Sequence, residues 1–225
     1  NERTEETYDD IYVDEDTKKM ITLMSEDLWS ATTVETTAMA LQSLHELLQS
    51  DNKNTHRNEL SLELGAPLLV ARKMKDFAVT DTAVQSAALQ LLNSSSWTSS
   101  ISSWYPLLIR IGGLARVQDI LTCNSIDVPA ESFDGWQKVQ DNALRLLENM
   151  ASSSAESLNT LMRYRGVETL AQFCVQCHKR KVDMLLPRVL DTLYLMATTT
   201  DTEGRDKVVT ELSLVLKQDR TETEV

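Results

Sequence analysis

A chain of 225 residues with 42% hydrophobic content is long enough to bury a sizeable core, as one domain or two. Its formal net charge of −12 argues against nucleic acid and anionic membrane surfaces, since both are held by Lys and Arg. Only 6 Gly, 4 Pro and 3 Phe, beside many Leu, Ala, Met and Gln, favour helix over sheet, so the fold class expected is all-α.

The acidity is concentrated at one end. Asn1 to Asp16 holds eight acids against the single Arg3, and with few apolar residues this stretch reads as a flexible acidic segment over residues 1–17, or one draped on a neighbour. No apolar run approaches the ~18 residues of a membrane span, and no basic-then-apolar leader opens the chain. The three cysteines give no disulfide framework, which fits a reducing compartment, so a cytoplasmic or nuclear chain is expected.

From Lys18 the pattern turns helical: Met20, Ile21, Met24, Leu28 and Trp29 recur at spacings of three and four, as a cap on a stack of helices. Thr36 to Gln49 is the first full apolar helix, with Ala40, Leu41, Leu44, Leu47 and Leu48 inward. A helix carrying Arg57, Leu60 and Leu64 then ends at Gly65, a residue suited to a sharp left-handed turn, and Ala66 to Phe77 comes next with Pro67 in its first turn. Thr80-Asp81 caps a third helix containing Val84 to Ser96, VQSAALQLLNSSS. That stretch is written again from Val139 to Ala151 as VQDNALRLLENMA.

The next unit repeats the order: Leu107, Leu108 and Ile109, then Gly112-Gly113, then Leu114 to Cys123, then Trp136 to Ser152. Gly65 and Gly113 lie 48 residues apart but Ala88 and Ala143 lie 55 apart, which places an insertion in Asn124 to Gly135. Phe133 and Trp136 near its end either form a contact surface or fold back on the core. The fourth unit has Leu158, Leu161 and Met162, then Gly166, then Val167 to His178, then Met184 to Thr199. Arg205, Val208 and Val209 restart a first helix, Glu211 to Lys217 closes the stack, and residues 218–225 are a polar tail. That tail ends in Thr223-Glu224-Val225, the form of a peptide taken by PDZ domains.

Helical units returning at such intervals indicate a solenoid spanning residues 18–217. From about Thr36 to Val209 they resemble the armadillo repeat family, whose third helix reads Ala-x-x-Ala-Leu-x-Asn-Leu-Ala. Ala143, Leu146, Leu147, Asn149, Met150 and Ala151 match that pattern, Ala88, Leu91 and Leu92 in part, and Ala40, Ser43 and Leu44 more loosely. The resemblance implies a right-handed α-solenoid of about four three-helix repeats whose third helices line a concave groove for an extended peptide. The groove residues it implies are Gln42, Glu46, Gln90, Ser94, Arg145, Asn149 and Asp191. In importin-alpha-like members a Trp and an Asn one turn apart grip a basic peptide. Here no unit has that Trp and only Asn149 supplies the Asn, which argues against nuclear-import cargo.

The same row also reads as an ordinary solvated face. Cys174-Val175-Gln176-Cys177-His178 has the spacing of a c-type haem attachment site, and its three side chains could contribute to a zinc site. Val167, Leu170, Cys174 and Cys177 nonetheless share one helical stripe, which reads as core, so no metal or cofactor is expected. The basic run His178-Lys179-Arg180-Lys181 reads as a solvated helix end or a seat for an acidic segment. No Gly-rich phosphate loop or Gly-x-Ser-x-Gly is present, so no enzyme is expected. Two functions remain: a non-catalytic module binding a peptide or partner protein, with oligomeric state open, or a structural subunit fixed in a larger assembly.

Overall fold

The computed structural model describes residues 8–49, 64–94, 105–123, 133–180, 182, 184–200 and 202–223. All the secondary structure described is α-helical. Eleven helices are described: α1 (Tyr8–Ser30), α2 (Val34–Gln49), α3 (Ala66–Asp76), α4 (Thr82–Leu92), α5 (Tyr105–Arg110), α6 (Gly113–Thr122), α7 (Phe133–Ser153), α8 (Ala155–Arg163), α9 (Gly166–Arg180), α10 (Leu186–Thr199) and α11 (Thr202–Thr223). The expected helix through Arg57 and Leu60, and residues 124–132 of the insertion expected from Asn124 to Gly135, lie outside the described residues.

The helices sort into rows. α2 packs on α4, α4 on α7 and α7 on α10; alongside, α1 packs on α3, α3 on α6, α6 on α9 and α9 on α11. The short helix α5 lies against α3 and α6 of the second row, α8 lies against α7 and α9 and so touches both rows, and the two short helices touch one another. The paired stretches read from the sequence form the centre of the first row. Val84, Ala88, Leu89, Leu91 and Leu92 of α4, and Val139, Ala143, Leu144, Leu146, Leu147 and Met150 of α7, are fully buried in one continuous core. Burying each such Leu contributes about 1.5–3 kcal/mol.

Backbone conformation at the helix joints corrects one sequence expectation. Gly65 and Gly112 adopt left-handed φ values of 71° and 78°, which a residue without Cβ takes without strain. In the next unit that place belongs to Arg165, with φ 63°, and not to Gly166. Gly166 instead opens α9, where an added Cβ would lie 2.6 Å from Leu161 Cγ and 2.7 Å from Leu161 O. Glycine is needed there for closeness, not for handedness. The exposed Arg165 pairs with Glu168 one turn on, and that ion pair holds the Glu168 carboxyl below its usual range.

Two boundaries and one cap also differ from the sequence reading. α1 starts at Tyr8 instead of Lys18, because an acidic first turn favours a helix N-terminus even without an apolar stripe. The restarted first helix and the closing helix are one element, α11, since no Gly or Pro separates them. Asp81 does precede α4, but its carboxylate accepts from the Ala78 N–H at 2.9 Å and not from α4.

Polar side chains tie the layers through peptide carbonyls. Buried Gln85 donates from Nε2 to the carbonyls of Met74 and Ala78, both at 2.9 Å, closing the end of α3 onto the start of α4. Gln140, its counterpart in the repeated stretch, points its amide at the Ile120 carbonyl at 3.5 Å. Lys73 reaches back to Trp29 O and Ala31 O, both at 2.8 Å; Arg116 to Lys75 O at 2.8 Å and Phe77 O at 3.1 Å; and Lys207 to Met162 O at 2.7 Å. Lys75 and Gln118 reach forward to Ile111 O and Tyr164 O, the carbonyls that precede the left-handed joints. Helix C-termini carry unpaired carbonyls and partial negative charge, so each tie satisfies an acceptor and complements a dipole.

Candidate binding surface

α2, α4, α7 and α10 present the surface the sequence singled out. Gln42, Gln90, Arg145 and Asp191 are exposed along it. Several of its members are engaged with one another: Gln42 Nε2 donates to Glu46 Oε1 at 3.1 Å, and Arg145 Nε to Asp141 Oδ2 at 3.1 Å. Asn149 is half-buried and donates from Nδ2 to Asn93 Oδ1 at 3.1 Å, while Asn93 donates to Asn142 O at 2.7 Å. Ser94, just past α4, is 4% exposed, so it is withdrawn from any occupant of the surface.

Arg188 was not among the residues read from the sequence. It bridges α10 to α7, with Nε 2.9 Å from Asp141 Oδ1 and NH1 3.0 Å from Glu148 Oε2. A planar guanidinium suits this two-carboxylate bridge, and the partly exposed setting limits its worth to about 1 kcal/mol. The signal was an arginine in the first turn of α10, with Asp141 and Glu148 two turns apart on α7 to receive it.

Beside this bridge, α4, α7 and the turn before α10 enclose a cleft of about 490 Å³, lined by Gln90, Gln137, Lys138, Asp141, Asn142 and Met184 with Leu185. Gln90 is the one predicted groove residue in it. Donors and acceptors lie around an exposed methionine, a lining able to pair with peptide N–H and C=O groups while taking an apolar side chain.

The aromatic contact residues fare differently. Phe133 opens α7, and Trp136 is 1% exposed within the core. The contact-surface reading of Trp136 is therefore corrected: a helix starting at Phe133 turns position 136 onto the same inward stripe as Val139 and Ala143. Cys177 is likewise buried, and burial pushes its thiol up to about 12 and raises that of half-buried Cys174. Such thiols are poor nucleophiles and poor ligands near neutral pH. His178 is exposed, and no group of three metal-ligating side chains comes together among the described residues.

No helix among the described residues is long and apolar enough to cross a membrane. Comparison of the chain with family models, with curated proteins and with solved structures finds no match.

On α2, burial holds the His45 imidazole below its ordinary range, with neighbouring Glu46 opposing the shift. A base whose folded pKa is depressed takes up a proton more readily when unfolded. Its stabilising contribution is therefore present above the unfolded value of about 6.5 and is lost as the pH falls through the folded value. The melting temperature is expected to drop between about pH 7.5 and about pH 5.5, and His45→Gln to flatten that slope, as read by circular dichroism.

Proposed function

We propose that the chain is an armadillo-like, right-handed α-solenoid acting as a non-catalytic binding module. On this reading an extended segment of a partner protein lies across its third helices. One observation carries it: the cleft bounded by α4, α7 and the turn before α10, with Gln90, Gln137, Lys138 and Asn142 ranged around Met184. Further support comes from the rows of like helices, the left-handed joints at Gly65, Gly112 and Arg165, and the shared core of the two repeated stretches. An extended peptide brings unpaired N–H and C=O groups at regular intervals, and glutamine and asparagine amides can serve both.

The test is selection from a random peptide display library on wild-type protein, then affinity measurement on Gln90→Ala/Gln137→Ala. Both side chains are at least partly solvent-accessible, so the double variant is expected to keep its melting temperature and to lose about tenfold or more in affinity for the selected peptides, the worth of about 1.4 kcal/mol. Selected peptides that bind the double variant as tightly as wild type would remove the cleft from consideration.

A further inference from the structure

The row α2, α4, α7, α10 has two ends, and exposed residues at each end occupy positions that make contacts between helices elsewhere in the row. Aligned on the repeated stretch, Leu190 of α10 stands where Leu41, Leu89 and Leu144 stand in α2, α4 and α7. Those three are fully buried, whereas Leu190 is 47% exposed. Tyr194 stands where Asn93 and Glu148 stand. Asn93 reaches forward to α7 through Asn142 and Asn149, and Glu148 reaches forward to α10 through Arg188, but Tyr194 is 71% exposed.

At the other end the register is mirrored. Met39 of α2 occupies the position of Asn142 in α7, whose backbone carbonyl accepts from Asn93, and of Arg188 in α10, whose side chain reaches back to α7; Met39 is 68% exposed. Around it Thr36, Ala40 and Ser43 hold the positions of Val84, Ala88 and Leu91, which are fully buried in α4. With Met24 and Thr33 these residues enclose a cleft of about 440 Å³. One end of the row thus carries two bulky side chains, and the other a hollow in which Thr36, Ala40 and Ser43 of α2 leave room beside Met39, with Met24 and Asp27 of α1 also lining it.

The geometry points to head-to-tail association of a second copy of this chain, in which Leu190 and Tyr194 of one copy enter the hollow beside Met39 of the next. α10 of one copy would then meet α2 of its neighbour as α4 meets α7 within a copy. The occupant is set by continuity: a helix in the register of α2 is what each forward-facing member of the row already packs against. A Tyr ring on the Met39 thioether is a favourable sulfur–aromatic contact, and small residues facing large ones allow close approach of the helices. The two surfaces differ, so the contact is heterologous and leaves a free head and a free tail after each addition. No groove occupant takes part, so the inference stands apart from the peptide reading above.

The test is sedimentation velocity over a concentration series on the 225-residue chain, with Tyr194→Lys as the tail variant and Met39→Lys as the head variant. Both side chains are exposed, and unchanged melting curves confirm folding. Wild type is expected to pass beyond a dimer with rising concentration, and each variant alone to stay at the 25.3 kDa of one chain. Mixed in equal amounts, the variants retain one intact head and one intact tail, and are expected to give a dimer that grows no further. A wild type that stays at 25.3 kDa throughout overturns the proposal and leaves both ends to a different protein. Variants that still associate alone, or a mixture that stays monomeric, overturn it equally.

Discussion

Trp136→Ala is expected to lower the stability of this protein by about 3–5 kcal/mol, seen as an early urea midpoint with an unchanged slope. Trp136 is among the largest fully buried side chains and sits in the first turns of α7, ahead of the buried run from Val139 to Met150. Removing it empties a volume that helices on both sides of α7 would have to fill, and close-packed interiors relax only in part. Trp136→Phe separates volume from polarity. The indole Nε1 has no hydrogen-bond partner among the described residues, so the Phe variant forfeits packing alone and should cost about 1–2 kcal/mol. An alanine variant as stable as wild type would return Trp136 to the surface role its place after the insertion first suggested.

Lys73→Met should cost about 2–4 kcal/mol, although it keeps the length and most of the bulk of the side chain. Lys73 is only 8% exposed and its ammonium donates to Trp29 O and Ala31 O at 2.8 Å, so the substitution leaves two carbonyls at the end of α1 without their donor. Charge-assisted bonds to peptide oxygen are stronger than neutral ones, and a buried acceptor without a donor retains its full desolvation cost. Lys73→Arg preserves both donors and should recover most of the loss. The urea midpoints of the three proteins decide the matter: equal midpoints for Lys73→Met and wild type would mean that α1 is held to α3 by apolar contacts alone.

The helices were legible because apolar spacing is a local property. The stretches at Val84 and Val139 were expected as one repeated element, and the structure buries both in one core. The features that escaped the sequence were mostly long-range. Gln85 and Gln140 look like surface residues beside a valine, yet both are buried, with Gln85 spending its amide on carbonyls of the preceding helix. Their recurrence at the same place in both copies was the signal, and its meaning depends on where α3 and α6 end. Arg165 escaped because propensity assigns a left-handed joint to the glycine beside it. Of the predicted groove, Gln90 lines a cleft and Ser94 is buried, because α4 ends at Leu92 and the chain has left the helical register by position 94.

The carbonyl ties bear on how the molecule meets acid. The Arg165–Glu168 ion pair depends on a carboxylate that takes up its proton only below the usual carboxylate range, and His45 withdraws its contribution earlier as the pH falls. A peptide oxygen has no proton to gain across that range. The grips of Lys73, Lys75, Arg116 and Lys207 on backbone carbonyls therefore lose no acceptor to protonation. For so acidic a chain, acidification removes mutual repulsion and surface pairing together, while the fastenings between successive layers stay chemically intact.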